Sequence, residues 1–81
     1  MPKVSIRQIK AARAMVGWSQ EQLAAASGVS VPTVKRLEAA TGLLGGREAT
    51  SESLVKALEG AGAIFIEENG GGSGVRLRRP S

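Results

Sequence analysis

Between Ser30 and Arg36 the chain carries two hydroxyls, Ser30 and Thr33, two cations, Lys35 and Arg36, and two compact apolar side chains, Val31 and Pro32. A guanidinium presents a rigid fork of donors that fits two acceptors side by side, a hydroxyl both donates and accepts, and an ammonium is a mobile point charge. Such a set suits recognition by hydrogen bonding and charge. Covalent chemistry has fewer means: the chain has no cysteine and no histidine, which removes thiolate nucleophiles, sulfur metal ligands, the usual general base and the commonest zinc ligand. The adjacent carboxylates Glu67 and Glu68 fall on an expected strand, where neighbours point to opposite faces, so they do not form an acid–base pair. The "GGGSG" run is followed by no Lys-Ser/Thr and no helix start, so it reads as a turn rather than a phosphate-binding loop. No catalysis, metal or cofactor is expected.

An 81-residue chain can bury one modest core, marginal enough that a partner subunit helps. Eleven Lys and Arg against seven Asp and Glu leave a net charge of +4, which favours polyanionic partners. The positive field is concentrated toward the N-terminus. Lys3, Arg7, Lys10, Arg13, Lys35 and Arg36 are opposed there only by Glu21 and Glu38. No apolar run approaches the roughly 20 residues that cross a bilayer, and the first residues lack the pattern of a signal peptide. A soluble, cytoplasmic protein without membrane contact is expected.

The recognition set must be held by short helices. Ile6, Ile9, Arg13 and Val16 recur at helical spacing after Ser5, an N-cap residue, and Gly17 ends that helix. Ser19 and Gln22 form an S-x-x-Q capping box, with Trp18 and Leu23 as its hydrophobic staple, and Gly28 terminates the resulting short helix. Ser30 caps a third helix, in whose first turn Pro32 costs nothing because the backbone donors there have no helical partner. "AATGLLGGREAT", residues 39–50, reads as a loop. Thr50 or Ser51 then caps a fourth helix with Leu54, Leu58 and Ala61 buried and Gly60 or Gly62 as its stop. From residue 63 the period alternates, "AIFIEE" and "VRLRRP" flanking a glycine-rich turn, so residues 63–79 read as a β-hairpin.

Two short helices joined through Gly28 cross steeply, with the small Ala24 and Gly28 placed to let the backbones approach. Leu23, Val29, Val34 and Leu37 face inward. The unit is a helix-turn-helix, whose use is to project its second helix into the major groove of DNA. The stretch "IRQIKAARAMVGWSQEQLAAASGVSVPTVKRLEAA" closely resembles the phage-repressor-like, or XRE, family of transcription regulators. The resemblance is carried by the Gln at the start of the second helix, the small residue at Ala24, the turn Gly28 and the "LE" closing the third helix. Ser27 departs from it, standing where the family usually has an apolar residue. The C-terminal hairpin also departs, replacing the fifth helix of the familiar phage repressors.

The expected fold is therefore mainly α, a four-helix helix-turn-helix domain over residues 1–62 followed by a C-terminal β-hairpin over 63–81. Within the recognition helix, Ser30–Ala39, the base-contacting set is Ser30, Val31, Pro32, Thr33 and Arg36. Arg36 suits a bidentate pair to guanine, Ser30 and Thr33 suit base edges or phosphate, and Val31 and Pro32 suit a thymine methyl. Ser19, Gln20, Lys35 and Arg47 are expected at phosphates, the first two because a helix N-terminus favours anions. Arg13, on the apolar stripe of the first helix, and Glu38, on the inward face of the third, would each be a costly buried charge unless paired. The family resemblance implies that same pairing.

A lone recognition helix reads few base pairs, and an isolated hairpin is marginal with an open edge, so a twofold homodimer through Ile64, Phe65, Ile66, Val75 and Leu77 is expected. The opposing expectation is that one hairpin face packs on the fourth helix of its own chain. Two other roles use the same DNA unit: an antitoxin whose hairpin binds a toxin, and an accessory protein that contacts RNA polymerase or another protein.

Overall fold

The computed structural model describes residues 4–40 and 48–78. Four helices, α1 (Ile6–Val16), α2 (Gln20–Ser27), α3 (Val31–Ala39) and α4 (Glu48–Gly60), precede the strands β1 (Ala63–Ile66) and β2 (Gly74–Leu77). The strands pair antiparallel with Ala63 opposite Leu77 and Phe65 opposite Val75.

Local chemistry explains the helix boundaries. Ser5 and Gln8 form a reciprocal capping box on α1, and Ser19 and Gln22 form a second on α2. Each satisfies two backbone groups that a helix start otherwise leaves without partners. Gly17 and Gly28 end α1 and α2 in the left-handed conformation, at φ 78° and 77°. For Gly28 this conformation is the whole reason for glycine. The expected close approach of backbones is not its role, since a Cβ built there meets nothing within 4 Å. Ser27 braces the same turn, its Oγ donating to the Ala24 carbonyl at 3.4 Å and accepting from the Val29 N–H at 3.2 Å. A hydroxyl at this position thus closes the turn by hydrogen bonding.

The fourth helix differs from the sequence expectation at both ends. It begins at Glu48, so Thr50 and Ser51 lie inside it rather than capping it. Glu and Ala are strong helix formers, and they extend the helix ahead of the Thr-Ser pair. Its buried residues are Leu54, Val55 and Leu58, while Ala61 lies beyond the helix and is exposed. Of the segment expected as loop, Ala39 still belongs to α3 and residues 48–50 to α4; residues 41–47, Arg47 among them, lie outside the described residues.

One core joins all the elements. Val4, Ile9 and Ala12 meet Leu23 and Ala24 from α2, Val34 from α3, and Leu54, Val55 and Leu58 from α4; Ala63 joins them from β1. Trp18, Phe65 and Val75 are half-buried against this cluster. The hairpin thus packs on its own chain, and chiefly on α1 rather than on α4 alone. Its strands are shorter than expected, ending at Leu77, and residues 67–73 form the turn. Glu68 organises that turn, its Oε2 accepting from the N–H groups of Gly70 and Gly72 at 3.0 and 2.9 Å. Among the described residues no helix is long and apolar enough to cross a membrane.

Gln8 fastens the hairpin. Its side chain is buried, its Oε1 accepts from the Ser5 N–H at 2.8 Å, and its Nε2 donates to the carbonyls of Ile66 and Gly74 at 3.1 and 3.0 Å. One amide therefore caps α1 and clasps both strands where they enter the turn. Gln8→Ala removes all three bonds and is expected to cost about 1–3 kcal/mol. Hydrogen exchange should report faster opening of the β1 and β2 amides than of α4; a variant with wild-type exchange and melting would show the clasp to be dispensable.

Candidate nucleic-acid interface

The recognition helix is oriented by what it buries. Val34 and Glu38, one turn apart, are buried toward the other helices, and Leu37 is half-buried beside them. At 100° per residue this leaves Pro32 and Arg36 on the opposite face, flanked by Thr33 on one side and Lys35 on the other. Pro32, Lys35 and Arg36 are indeed exposed, and Thr33 is half-buried. Val31 departs from the expected base-contacting set. It lies one turn before Val34 and packs against the core, so Pro32 is the apolar group that remains on the outer face.

Glu38 holds this helix in place through a network on three sides. Its Oε2 accepts from Arg13 Nε and its Oε1 from Arg13 Nη2, both at 2.8 Å, a bidentate pair. The remaining guanidinium nitrogen, Nη1, donates to the Trp18 carbonyl at 2.9 Å, tying in the connection between α1 and α2. Burial by itself pushes the Glu38 carboxyl up, but the hydrogen bonds from Arg13 and Gln20 and the charges of Arg13 and Lys10 outweigh it, so its pKa lies below 4.5. The pair expected from the stripes and from the resemblance is thus formed.

Gln20 joins the same carboxylate, its Nε2 donating to Glu38 Oε1 at 3.1 Å. The expected phosphate contact overlooked this bond. It does not use up the amide, because a carboxamide nitrogen carries two protons and only one is directed at Glu38. The start of α2, with Ser19 exposed as its cap and Gln20 half-buried, is thereby linked to the C-terminal half of α3. Residues expected at phosphates and residues expected at bases sit on two helices joined by one carboxylate.

At the other end of α3, Ser30 is an N-cap whose Oγ accepts from the Thr33 N–H at 3.3 Å and lies 2.8 Å from Thr33 Oγ1. The S-x-x-T spacing carries the signal for this contact, which the sequence reading took no further than a cap. Arg7, exposed on α1, and Arg76 and Arg78, exposed on the hairpin, add charge away from α3, the helix that does not pack on the hairpin.

A comparison with curated proteins finds no match. A helix-turn-helix family model matches residues 9–60, well over half of the chain, from the second turn of α1 to the end of α4. Two capped helices about a left-handed glycine, a third element of core behind them and an outward cationic face are the parts this family requires, and the chain belongs to the phage-repressor-like helix-turn-helix family of DNA-binding regulators.

Proposed function

We propose that this protein is a sequence-specific transcription regulator that sets Ser30–Ala39 in the major groove of double-stranded DNA and works as a twofold dimer. The observation that carries the reading is the α3 face of Pro32, Thr33, Lys35 and Arg36, presented outward by a helix fixed at its far end by Arg13, Glu38 and Gln20. In this reading Arg36 pairs with guanine, Thr33 and Pro32 meet neighbouring base edges, and Ser19, Gln20, Lys35 and Arg47 track phosphates. The protein then acts in the cytoplasm, at the nucleoid, without cofactor or catalysis.

Dimerisation is supported by the hairpin's outer face. Phe65 and Val75 are committed to the chain's own core, so they leave the expected dimer contact. Side chains alternate along a strand, which puts Ile64 and Ile66 on the opposite face with Arg76, and Leu77, 41% exposed, at the rim. The hairpin is also polar end to end in charge: Glu67 and Glu68 flank its turn, Arg76 and Arg78 its open end. Two hairpins aligned antiparallel about a twofold axis set acidic ends over basic ends and apolar centres together.

Selection of bound sequences from a random duplex pool tests the reading. A near-palindrome with half-sites roughly one helical turn, about 34 Å, apart is expected; enrichment of no motif would refute sequence-specific binding. On the selected site Arg36→Ala should cost about 1–3 kcal/mol and relax one base position, with little effect on random DNA. Gln20→Ala should weaken selected and random DNA alike, as a phosphate contact requires. Titrations of both variants against both duplexes read out the difference, and equal losses for Arg36→Ala would move Arg36 to the phosphate class.

A further inference from the structure

We infer that Ser30 is a positioning residue that fixes the hydroxyl of Thr33 as an outward hydrogen-bond donor, so that this position of the recognition helix rejects cytosine. The inference rests on the reading of α3 as the base-reading helix and specifies what one of its residues reads.

Two contacts carry it. Ser30 Oγ accepts the Thr33 N–H at 3.3 Å, as an N-cap does, and Ser30 Oγ donates to Thr33 Oγ1 at 2.8 Å. The cap bond occupies an acceptor site on Ser30 and leaves its single proton to be placed. Thr33 Oγ1 is the acceptor at hydrogen-bonding distance. Once Thr33 Oγ1 accepts that proton, its own proton turns away from Ser30, toward the side of α3 that carries Arg36. Both partners are held for this purpose: Ser30 by the extended cap conformation, φ −67° and ψ 150°, and Thr33 by its place in the first turn of the helix. Threonine adds stiffness, since its branched Cβ restricts χ1.

A hydroxyl fixed as a donor has a defined selectivity. In the major groove guanine offers N7 and O6, adenine N7 and thymine O4 as acceptors, whereas cytosine offers only its N4 amino donor. A donor facing cytosine meets another donor, and both are left without partners. A freely turning hydroxyl would instead tolerate all four bases. Discrimination against cytosine at the base facing Thr33 is expected to be about tenfold, the equivalent of one neutral hydrogen bond.

The test is selection from a random duplex pool by the full chain and three variants, followed by titration of the selected site and of that site with cytosine at the position in question. Wild type should deplete cytosine at one position of each half-site. Thr33→Val, which replaces the hydroxyl by a methyl, should lose that depletion and turn toward thymine. Ser30→Ala frees the Thr33 hydroxyl to turn, and the discrimination should fall below about threefold. Because that variant also loses the cap, Ser30→Asp supplies a folded control: a carboxylate caps the helix but has no proton to give, so it draws the Thr33 proton inward and exposes acceptor lone pairs. It should bind all DNA more weakly and reverse the preference toward cytosine. A wild-type motif left unchanged by Ser30→Asp, or retained by Thr33→Val at uniformly lower affinity, overturns the inference while leaving the DNA reading intact. A wild-type pool without any motif overturns the DNA reading itself, and the inference with it.

Discussion

Glu38→Ala is expected to destabilise the fold by about 3–5 kcal/mol, because it strands a guanidinium among apolar neighbours and removes three hydrogen bonds at once. Arg13 keeps 21% of its side-chain exposure against 5% for Glu38, so water can partly rescue the orphaned cation and the lower end of that range applies. For a domain of this size such a loss lowers the melting temperature by about 12 °C or more. A melt within a degree or two of wild type would show that the network does not bear on stability. Acid offers a second readout with a definite sign. The folded-state pKa of Glu38 is depressed below 4.5, so its contribution is complete above that value and is lost as pH falls through the folded-state pKa. Wild type should therefore lose stability below about pH 4.5, and Glu38→Gln, which has no carboxylate to protonate, should lose less over the same interval. Parallel urea titrations at pH 7 and pH 3 measure both slopes.

Ile64→Asp is expected to have the largest effect on DNA binding while leaving the core untouched. Ile64 lies on the face of the hairpin opposite Ala63 and Phe65, so an acidic side chain there disturbs neither the helical core nor the Gln8 clasp. On the dimer reading it sets two carboxylates against each other across the twofold axis. A regulator requires roughly 4–10 kcal/mol of preference over random sequence, and losing one of two half-sites forfeits about half of that, or 2–5 kcal/mol. Affinity for a two-half-site operator should fall accordingly, whereas affinity for a single half-site should not change. Sedimentation of the full chain with and without operator gives the independent check: wild type bound as two chains per duplex and the variant as one. A variant that still loads two chains with undiminished affinity would remove the hairpin's outer face from the assembly.

Each end of the recognition unit was legible in sequence because it is set by local chemistry. Ser5, Ser19, Ser30, Gly17 and Gly28 act on backbone groups within four residues of themselves, and such interactions leave their pattern along the chain. The Arg13–Glu38 pair was legible for a different reason: a charge on an apolar stripe needs an opposite charge, and only one inward carboxylate was on offer. The misreadings share a cause too. Thr50 and Ser51 look like caps to a local reading, yet Glu48 and Ala49 continue the helix beyond them.

What the sequence by itself determined, then, is the set of elements, their polarity and the outward face of α3, since hydrophobic period and capping fix which residues turn inward. Only the tertiary structure decided how those elements are joined over long separations. Nothing near Gln8 in sequence announces that its amide reaches Ile66 and Gly74, and nothing near Gln20 announces Glu38. A carboxamide is uncharged and leaves no imbalance to be resolved, so its partner is chosen by where the packed core brings unsatisfied carbonyls and carboxylates. The same packing took Phe65 and Val75 from the hairpin's outer surface, because β1 and β2 cover α1 and one face of a two-stranded sheet must then be buried against it.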